Sequence, residues 1–513
     1  MHVNETCYGS KSVKVSDNIY YVPGCLLSWG DTGELYPWVT IDALPGNVLL
    51  EIFDLYLGGY DQDIRLRALR LHDSLDHEDA WHTLVHVCST WRRLVFASPC
   101  RLNLRLLCTN TRPVRKMLHI WPELPIIISA YVTNPRRPGT TNIIHALKQH
   151  NRVYSISISC SPNSLLKKIA AMKKPFPALT ELQLSSDDKN PPVLPGSFLG
   201  GSVPCMRGLS LYHIPFPTLG KLLSSARDLV SLSLSDIPRS GYISPDAIVT
   251  CISTLTGLKH LDLNFSFPLA PAERANLYRP PPARVVLPAL TRLHFTGTSE
   301  YLEDTVSRID TPLLHDVSIV FFNQLVFDTP HLRHFMGRTE QFSEAHGVNV
   351  FFSRGQVSIK PHWRRYVRNR DSRLFVGISC KPLDWQLSSL MQVYNSVLYP
   401  LLGPLERLRI CDNSSQFQDD IPDNVEWREF LHLFPTIVDL ELSRKFGPLV
   451  LPALGDLTGK RATEVLYVLQ NIFVEELPSS GPVREAIDQF VASRQSYTWP
   501  VTVCQRVLPW WRR

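Results

Sequence analysis

The sequence lacks a long apolar run. Its most apolar stretches, Leu124 to Val132 and Val317 to Phe322, are far shorter than the roughly 18 to 20 residues that a helix needs to cross a bilayer. The N-terminal segment MHVNETCYGSKSVKV has no apolar core after its charged residues, so it does not have the pattern of a signal peptide. We therefore expect a protein with neither a secretory leader nor a membrane-spanning helix.

Paired cysteines and an excess of one charge are also lacking. The 11 cysteines are an odd number, are scattered from Cys7 to Cys504, and form no CxxC pair. This pattern is typical of reduced thiols, so we predict a cytoplasmic or nuclear location, or both. Lys and Arg number 53 against 47 Asp and Glu, a formal charge of +6. So small an excess does not favour nucleic acid as a partner.

Motifs of catalysis and cofactor binding are missing as well. The segment LGDLTGKRAT (Leu454 to Thr463) has one residue too few between its glycines for a phosphate-binding loop, and Arg rather than Ser or Thr follows its Lys. His82 and His86 have the spacing of zinc ligands, but Thr83 stands where a metalloprotease needs Glu, so we interpret them as a helix-surface pair. We predict no enzyme activity, no catalytic residues, no cofactor and no metal.

Two amphipathic segments lie between Leu44 and Phe96, and each predicts one short helix. Pro45 suits the first turn, where its missing N–H would have no partner. Helical spacing then connects Val48, Leu49, Ile52, Phe53 and Tyr56. The second helix has the same kind of apolar face, formed by Trp81, Leu84, Val85, Cys88 and Trp91.

These segments resemble the F-box, which has a Leu-Pro pair, a Val-Leu-Leu-x-Ile-Phe helix and a later Val-Cys-x-x-Trp-Arg-x-Leu helix. Asn47 departs from the usual Glu, and the segment Gly58 to Glu78 is longer than the usual link. The resemblance implies docking on the Skp-type linker protein of a cullin-RING ligase. The expected contact residues are Leu44, Pro45, Val48, Ile52, Phe53, Val87, Cys88, Trp91 and Leu94. The alternative is an ordinary helical hairpin that caps the next domain.

A repeated frame, LxxLxL, follows the helices. Its first positions at 153, 179, 206, 229, 258, 290 and 314 are separated by steps of 26, 27, 23, 29, 32 and 24 residues. These steps are typical of leucine-rich repeats with one longer insertion. Further units are expected at Leu332, Val357, Leu405 and Ile437, with helices or loops between units. The predicted fold is α/β, an irregular leucine-rich-repeat solenoid that forms an arc with strands on its concave side and helices or loops on its convex side.

The C-terminal sequence, from Phe375 onward, is similar to that of a large family of F-box proteins with irregular leucine-rich repeats from mushroom-forming (basidiomycete) fungi. We therefore divide the chain into an N-terminal extension at 1–40, partly disordered, an F-box at 41–110 with its insert at 58–78, a repeat domain at 111–480, and a C-terminal helix and tail at 481–513.

A basic run precedes the C-terminal region. The segment HWRRYVRNRDSR interleaves aromatic residues with Arg364, Arg365, Arg368, Arg370 and Arg373. Arginine suits bidentate recognition of carboxylate or phosphate, so the run is a candidate site for an acidic partner. The competing interpretation is a solvated face that pairs with acidic neighbours.

The resemblance implies a substrate-recognition adaptor of a Skp/cullin/F-box-type ubiquitin ligase, in which the F-box docks on the linker and the repeats bind a protein substrate. The alternative is a leucine-rich-repeat scaffold for protein binding with no ligase role. A third hypothesis is a nucleic-acid binder that works through the arginine run.

Overall fold

A computed structural model gives the fold. It describes residues 13–16, 19–22, 25–29, 35–37, 41, 44–67, 80–132, 139–160, 163–268, 284–322, 327–363, 373–399, 401–412, 424–457, 465–497 and 499–505. For 13–37, for 58–67 and at 80 and 341 the description covers only the backbone. The chain divides into two compact units, Met1–Ile128 and Ser129–Arg513.

The first unit begins with a four-stranded antiparallel sheet in the order β1-β2-β3-β4. Its strands are β1 (Val13–Ser16), β2 (Ile19–Val22), β3 (Cys25–Trp29) and β4 (Leu35–Pro37). Residues 1–40 have no clear hydrophobic period, and these strands were not predicted. The domain boundaries proposed from the sequence, including the partial disorder of this extension, remain predictions.

Helices follow in the same unit. The described elements are α1 (Gly46–Arg67), α2 (Ala80–Val87), α3 (Ser89–Ala97), β5 (Leu106–Thr109), α4 (Val114–Ile120) and β6 (Ile126–Val132), the last of which crosses into the second unit. Helix α1 continues into the insert predicted at 58–78. Among the described residues, no helix is both long enough and apolar enough to cross a membrane.

The second unit is built on a large, mostly parallel sheet. Its strands are β7 (Val153–Cys160), β8 (Glu181–Ser186), β9 (Gly208–Tyr212), β10 (Ser231–Ile237), β11 (His260–Phe265), β13 (Arg292–Gly297), β15 (Asp316–Phe322), β16 (Gly347–Ser353), β17 (Gln356–His362), β18 (Arg373–Ser379), β19 (Arg407–Asp412), β20 (Asp439–Leu442), β21 (Asn471–Val474) and β22 (Thr502–Gln505). A separate parallel pair joins β12 (Val285–Val286) and β14 (Ile309–Asp310).

Helices alternate with these strands. They are α5 (Gly139–Leu147), α6 (Asn163–Ala170), α7 (Leu219–Leu223), α8 (Pro245–Ile252), α9 (Ser299–Ser307), α10 (Pro330–Gly337), α11 (Leu383–Val393), α12 (Asn424–His432), α13 (Gly447–Gly455) and α14 (Pro482–Ser496). Helices α6, α9 and α11 pack on the strands beside them, and α8 lies between α7 and α9. The chain therefore has a mixed α/β fold with a large, mostly parallel sheet.

The LxxLxL frame explains why these strands form. In the unit that contains β10, Leu229, Leu232 and Leu234 are 0%, 0% and 4% exposed. The polar residues between the last two frame positions point to the opposite face, because successive strand side chains alternate. Each unit pairs in register with the next, as in Leu232↔Leu261. A buried row of frame residues therefore runs from strand to strand.

The repetition is interrupted once. After β15 the chain skips two strand positions to form β16, reverses into β17, and returns as β18 beside β15. Strands β16 and β17, and β17 and β18, are antiparallel, whereas β18 is parallel to β15 and β16 is parallel to β19. A repeat strand was expected at Leu332, and this prediction was wrong because Leu332 lies in helix α10. The strand expected at Val357 is present as β17, but it runs antiparallel to its neighbours β16 and β18.

Candidate docking surface on the N-terminal helices

Helix α1 starts at the Leu-Pro pair. Pro45 accepts hydrogen bonds from the backbone N–H groups of Val48 and Leu49, at 2.9 and 3.1 Å. The next residue, Gly46, lies against α3: a Cβ built there would stand 3.1 Å from Cδ2 of Leu94. Leu94 therefore packs closely on the first turn of α1, and a Cβ at Gly46 would require its side chain to shift by a few tenths of an ångström.

One face of α1 is buried. Leu49 is 1% exposed and Phe53 is fully buried. The ring of Phe53 packs on Trp91 of α3, with ring centroids 4.6 Å apart. Leu49 and Phe53 are four residues apart in the sequence, so they lie on one side of α1. This side supplies the packing between α1 and the helices after it.

A second face of α1 is apolar and exposed. Val48, Ile52, Leu55 and Tyr56 follow the spacing i, i+4, i+7 and i+8 and are 37%, 38%, 78% and 39% exposed. A surface helix usually places polar side chains on the face opposite its buried one. We call these four residues the exposed stripe. At about 100° per residue, these positions adjoin Leu49 and Phe53 on α1, so the predicted apolar face is present and the neighbouring helices bury only its Leu49 and Phe53 side.

The predicted second helix is two helices. Cys88 has an extended backbone, with φ −154° and ψ 171°, and its Sγ accepts a hydrogen bond from the backbone N–H of Trp91 at 3.4 Å. A residue with this geometry caps the start of a helix, so α2 ends and α3 begins here. The Nε–H of Arg92 donates to the carbonyl of Val85 at 2.9 Å, which holds α3 on the end of α2. The break leaves Val87 55% exposed.

An aromatic cluster supports α2 on its other side. Trp81 is buried and donates its indole N–H to the carbonyl of Arg105 at 3.0 Å. The ring of Trp121 packs edge-on against Trp81 at 5.2 Å and stacks on His82 at 4.8 Å. His86 is exposed near Trp121, at 6.3 Å between centroids. The interpretation of two surface histidines was therefore wrong for His82, which packs against an aromatic ring.

The nine residues expected at the linker interface divide into two groups. Phe53, Trp91 and Leu94 pack the helices together, and Cys88 caps α3. Pro45, Val48, Ile52 and Val87 are exposed, and Leu44 is partly exposed. Leu55 was missed, although its position seven residues after Val48 and three after Ile52 would have placed it on their face.

The arginine run is only partly described. Arg364, Arg365, Arg368 and Arg370 lie outside the described residues, whereas Arg373 is exposed at the start of β18. The run connects β17 to β18, two adjacent antiparallel strands. Its proposed role in binding an acidic partner remains a prediction.

The polar face of the sheet near this connection carries paired charges. The Arg407 guanidinium donates to Asp439 at 2.9 Å, and Arg409 lies 3.6 Å from Glu441. Burial lowers the pKa of His362, and the nearby Arg407 and His346 lower it further. Among the described side chains, no group of three or more His, Cys, Asp or Glu could hold a metal ion.

Comparison with known proteins adds no relative. No protein-family model matches the chain, and no curated protein matches it.

Proposed function

We propose that the protein is a substrate-recognition adaptor of a Skp/cullin/F-box-type ubiquitin ligase. Helices α1, α2 and α3 would form an F-box that docks on the Skp-type linker, and the second unit would be an irregular leucine-rich-repeat solenoid that holds a protein substrate. The exposed stripe is the observation that carries this proposal, because it gives α1 a second apolar face beside the Leu-Pro start. The location would be cytoplasmic, nuclear or both.

The energetic argument concerns what a partner would cover. Fully burying a Val, Leu or Ile side chain contributes about 1.5 to 3 kcal/mol. Leu55 exposes 78% of its surface and Ile52 38%, so most of this gain is still to be made at Leu55 and part of it at Ile52. Apolar residues clustered at the centre of an interface commonly supply most of its binding energy. Val87, at the end of α2, extends the apolar character beyond α1.

The adaptor itself would catalyse no reaction. It would raise the effective concentration of the substrate beside the ubiquitin-charged enzyme, so that transfer takes place within one assembly. The competing function is a repeat scaffold that binds proteins without any ligase role. The two differ in one measurable property, which is binding to the linker protein.

The experiment is titration of the purified full chain with a purified Skp-type linker protein, followed by calorimetry. Leu55→Asp places a charge in the exposed stripe at its most exposed position and should weaken binding by roughly 2 kcal/mol or more. Ile120→Asp is the matched control, because Ile120 is an exposed apolar residue of α4 at 67% exposure and lies outside the stripe. The melting temperature of both variants should stay close to that of the wild type.

Two results would decide against the adaptor. Absence of binding by the wild-type chain would leave the scaffold function. Equal loss of binding in Leu55→Asp and Ile120→Asp would show that binding does not depend on the exposed stripe.

A further inference from the structure

The polar face of the large sheet changes character at the antiparallel insertion. On β10, β11 and β13 the outward positions are hydroxyl, amide, imidazole or charged side chains, such as Ser233, Asp262 and His294. On β15, β16 and β18 the same face carries the half-buried apolar side chains of Val320, Phe351 and Phe375. The apolar side chains therefore gather where the repeat order is broken.

Strand register shows how these side chains are arranged. Val320 pairs with Gly377, Gly377 with Ser358, and Ser358 with Phe351, so one row crosses four strands. Strands lie about 4.8 Å apart, which separates Val320 and Phe351 by about 14 Å. A Cβ at Gly377 would stand 2.5 Å from Nε2 of Gln356 and 3.3 Å from Cε1 of Phe375, so the Gln356 amide and the Phe375 ring both lie over this glycine. The row is a floor between Val320 and Phe351 that these two side chains partly cover.

Cations without carboxylate partners stand at both ends of this floor. Arg354 is exposed in the turn between β16 and β17, and Lys360 and Arg373 are exposed toward the opposite ends of β17 and β18. Six residues of strand separate Arg354 from Lys360, a distance of about 20 Å. None of the three forms an ion pair within the described part of the chain. We call them, with Val320, Phe351 and Phe375, the central patch.

The strands on either side of the central patch carry charge of the opposite sign to the patch. Strands β8 to β13 carry Glu181, Asp236 and Asp262 against Arg292 alone, apart from histidine. Strands β19 to β21 carry two arginines against three carboxylates, and the arginines are already paired. Within β15 to β18 the one carboxylate, Asp316, lies 3.8 Å from Arg292. The basic centre therefore lies between two groups of strands that each carry more carboxylates than arginines, which would confine an acidic partner to β16, β17 and β18.

We propose that the central patch binds an extended, acidic segment of a partner protein, with an aromatic or aliphatic side chain of that segment over the floor between Val320 and Phe351. Asp or Glu residues on both sides of this anchor would pair with Arg354 at one end and with Lys360 and Arg373 at the other. The cations are spread along the strands and do not converge on one point. They therefore fit a series of carboxylates about six residues apart better than a single phosphate.

The inference goes beyond the ligase role, because the central patch lies wholly in the second unit. A scaffold without ligase function would use it in the same way. The two ideas can therefore fail separately: loss of linker binding concerns the exposed stripe, and loss of acidic-segment binding concerns the central patch.

The test is selection of random dodecapeptides displayed on phage against the immobilised full chain. Selected peptides should carry an apolar residue with Asp or Glu on both sides, and their affinity should fall as salt rises. In the Lys360→Glu, Arg373→Glu double variant the dissociation constant should rise roughly tenfold or more, because like charges then face each other. The matched control is Lys167→Glu, Lys168→Glu, which makes the same charge change at exposed positions of α6.

The outcomes are separable. Tenfold loss in the patch variant with an unchanged control, and unchanged melting temperatures for both, supports the site. Peptides that bind both double variants as well as the wild type would overturn it, as would selection of basic or wholly polar peptides. The selected peptides are also synthesised with phosphoserine in place of Asp and Glu, and with Ser as a neutral reference. Binding by the phosphorylated form alone would overturn recognition of carboxylates.

Discussion

Helix α1 and strand β11 use their apolar residues differently. In the β11 unit, Leu258, Leu261 and Leu263 are at most 2% exposed, so the frame is completely buried by its neighbours. In α1, Phe53 is fully buried, whereas Leu55 is 78% exposed. The frame residues of β11 are aligned with those of the paired strands β10 and β13. Helix α1 buries Leu49 and Phe53 in the same way and leaves Leu55 largely exposed.

The largest expected effect separates the two faces of α1. Phe53→Ala should cost about 3 to 5 kcal/mol of unfolding free energy, because it opens a cavity beside Trp91. Leu55→Ala should stay within about 0.5 kcal/mol of the wild type, as is usual for exposed positions. Urea denaturation followed by tryptophan fluorescence measures both. Leu261→Ala is the reference for the repeats and should cost about 2 to 5 kcal/mol.

A large loss of unfolding free energy in Leu55→Ala would break the comparison. It would show that the exposed stripe is covered within the chain, and it would remove the basis for a docking surface on α1.

The second expected effect concerns the cap between α2 and α3. Cys88→Ala removes the acceptor for the Trp91 N–H and should cost about 1 kcal/mol, whereas Cys88→Ser keeps an acceptor and should cost little. Hydrogen exchange at the Trp91 amide should speed up in the alanine variant, because the helix start opens more often. Cys100→Ala, an exposed cysteine after α3, should leave this exchange unchanged. Equal effects of Ala and Ser at Cys88 would contradict a capping role.

The smallest expected effect concerns a cap in the repeats. Carboxylate oxygens of Glu303, on α9, accept the backbone N–H groups of His331 and Leu332 at 2.5 and 2.8 Å, at the start of α10. Burial raises the pKa of Glu303 above its ordinary value of 4.5, against the opposing effect of these two donors. A folded-state pKa above the unfolded value gives stability that is present below pH 4.5 and is lost as pH rises through the folded-state pKa.

Glu303→Gln should remove this pH dependence while keeping an acceptor for α10. The measurement is unfolding free energy against pH, in wild type and variant. The difference, wild type minus variant, should fall from about pH 4.5 upward, by a small amount because the carboxylate is only partly buried. A difference that rises with pH would mean that the two backbone donors outweigh burial, and the sign of the pKa shift would be wrong.

The two caps also show how much of the structure could be predicted. Cys88 lies three residues before its partner Trp91, so a capping pattern is readable in the sequence. It was instead assigned to an unbroken apolar face, because Cys also fits that spacing. Glu303 lies 28 residues before His331, and no local sequence pattern indicates that the two residues form a hydrogen bond. The strands of the LxxLxL frame were predicted well, from Val153 onward, because frame and burial coincide.

The sequence by itself determined the helices and strands whose apolar residues recur at a regular spacing. The frame residues decide the parallel strands, since three apolar positions per unit can be buried only when neighbouring units align them. The Leu-Pro pair and the residues after it likewise determine where α1 begins. These features depend on contacts between near neighbours or between identical positions of successive units.

The tertiary structure alone decided the order of β16, β17 and β18 and the split of the apolar residues of α1 into two faces. The antiparallel return of β17 is not encoded in its period, because parallel and antiparallel strands share the same alternation of side chains. The exposed stripe and the buried face are both apolar, and contacts with α3, such as that between Phe53 and Trp91, determine which of them is covered. Burial is a property of the partner as much as of the residue, so periodicity alone could not reveal it.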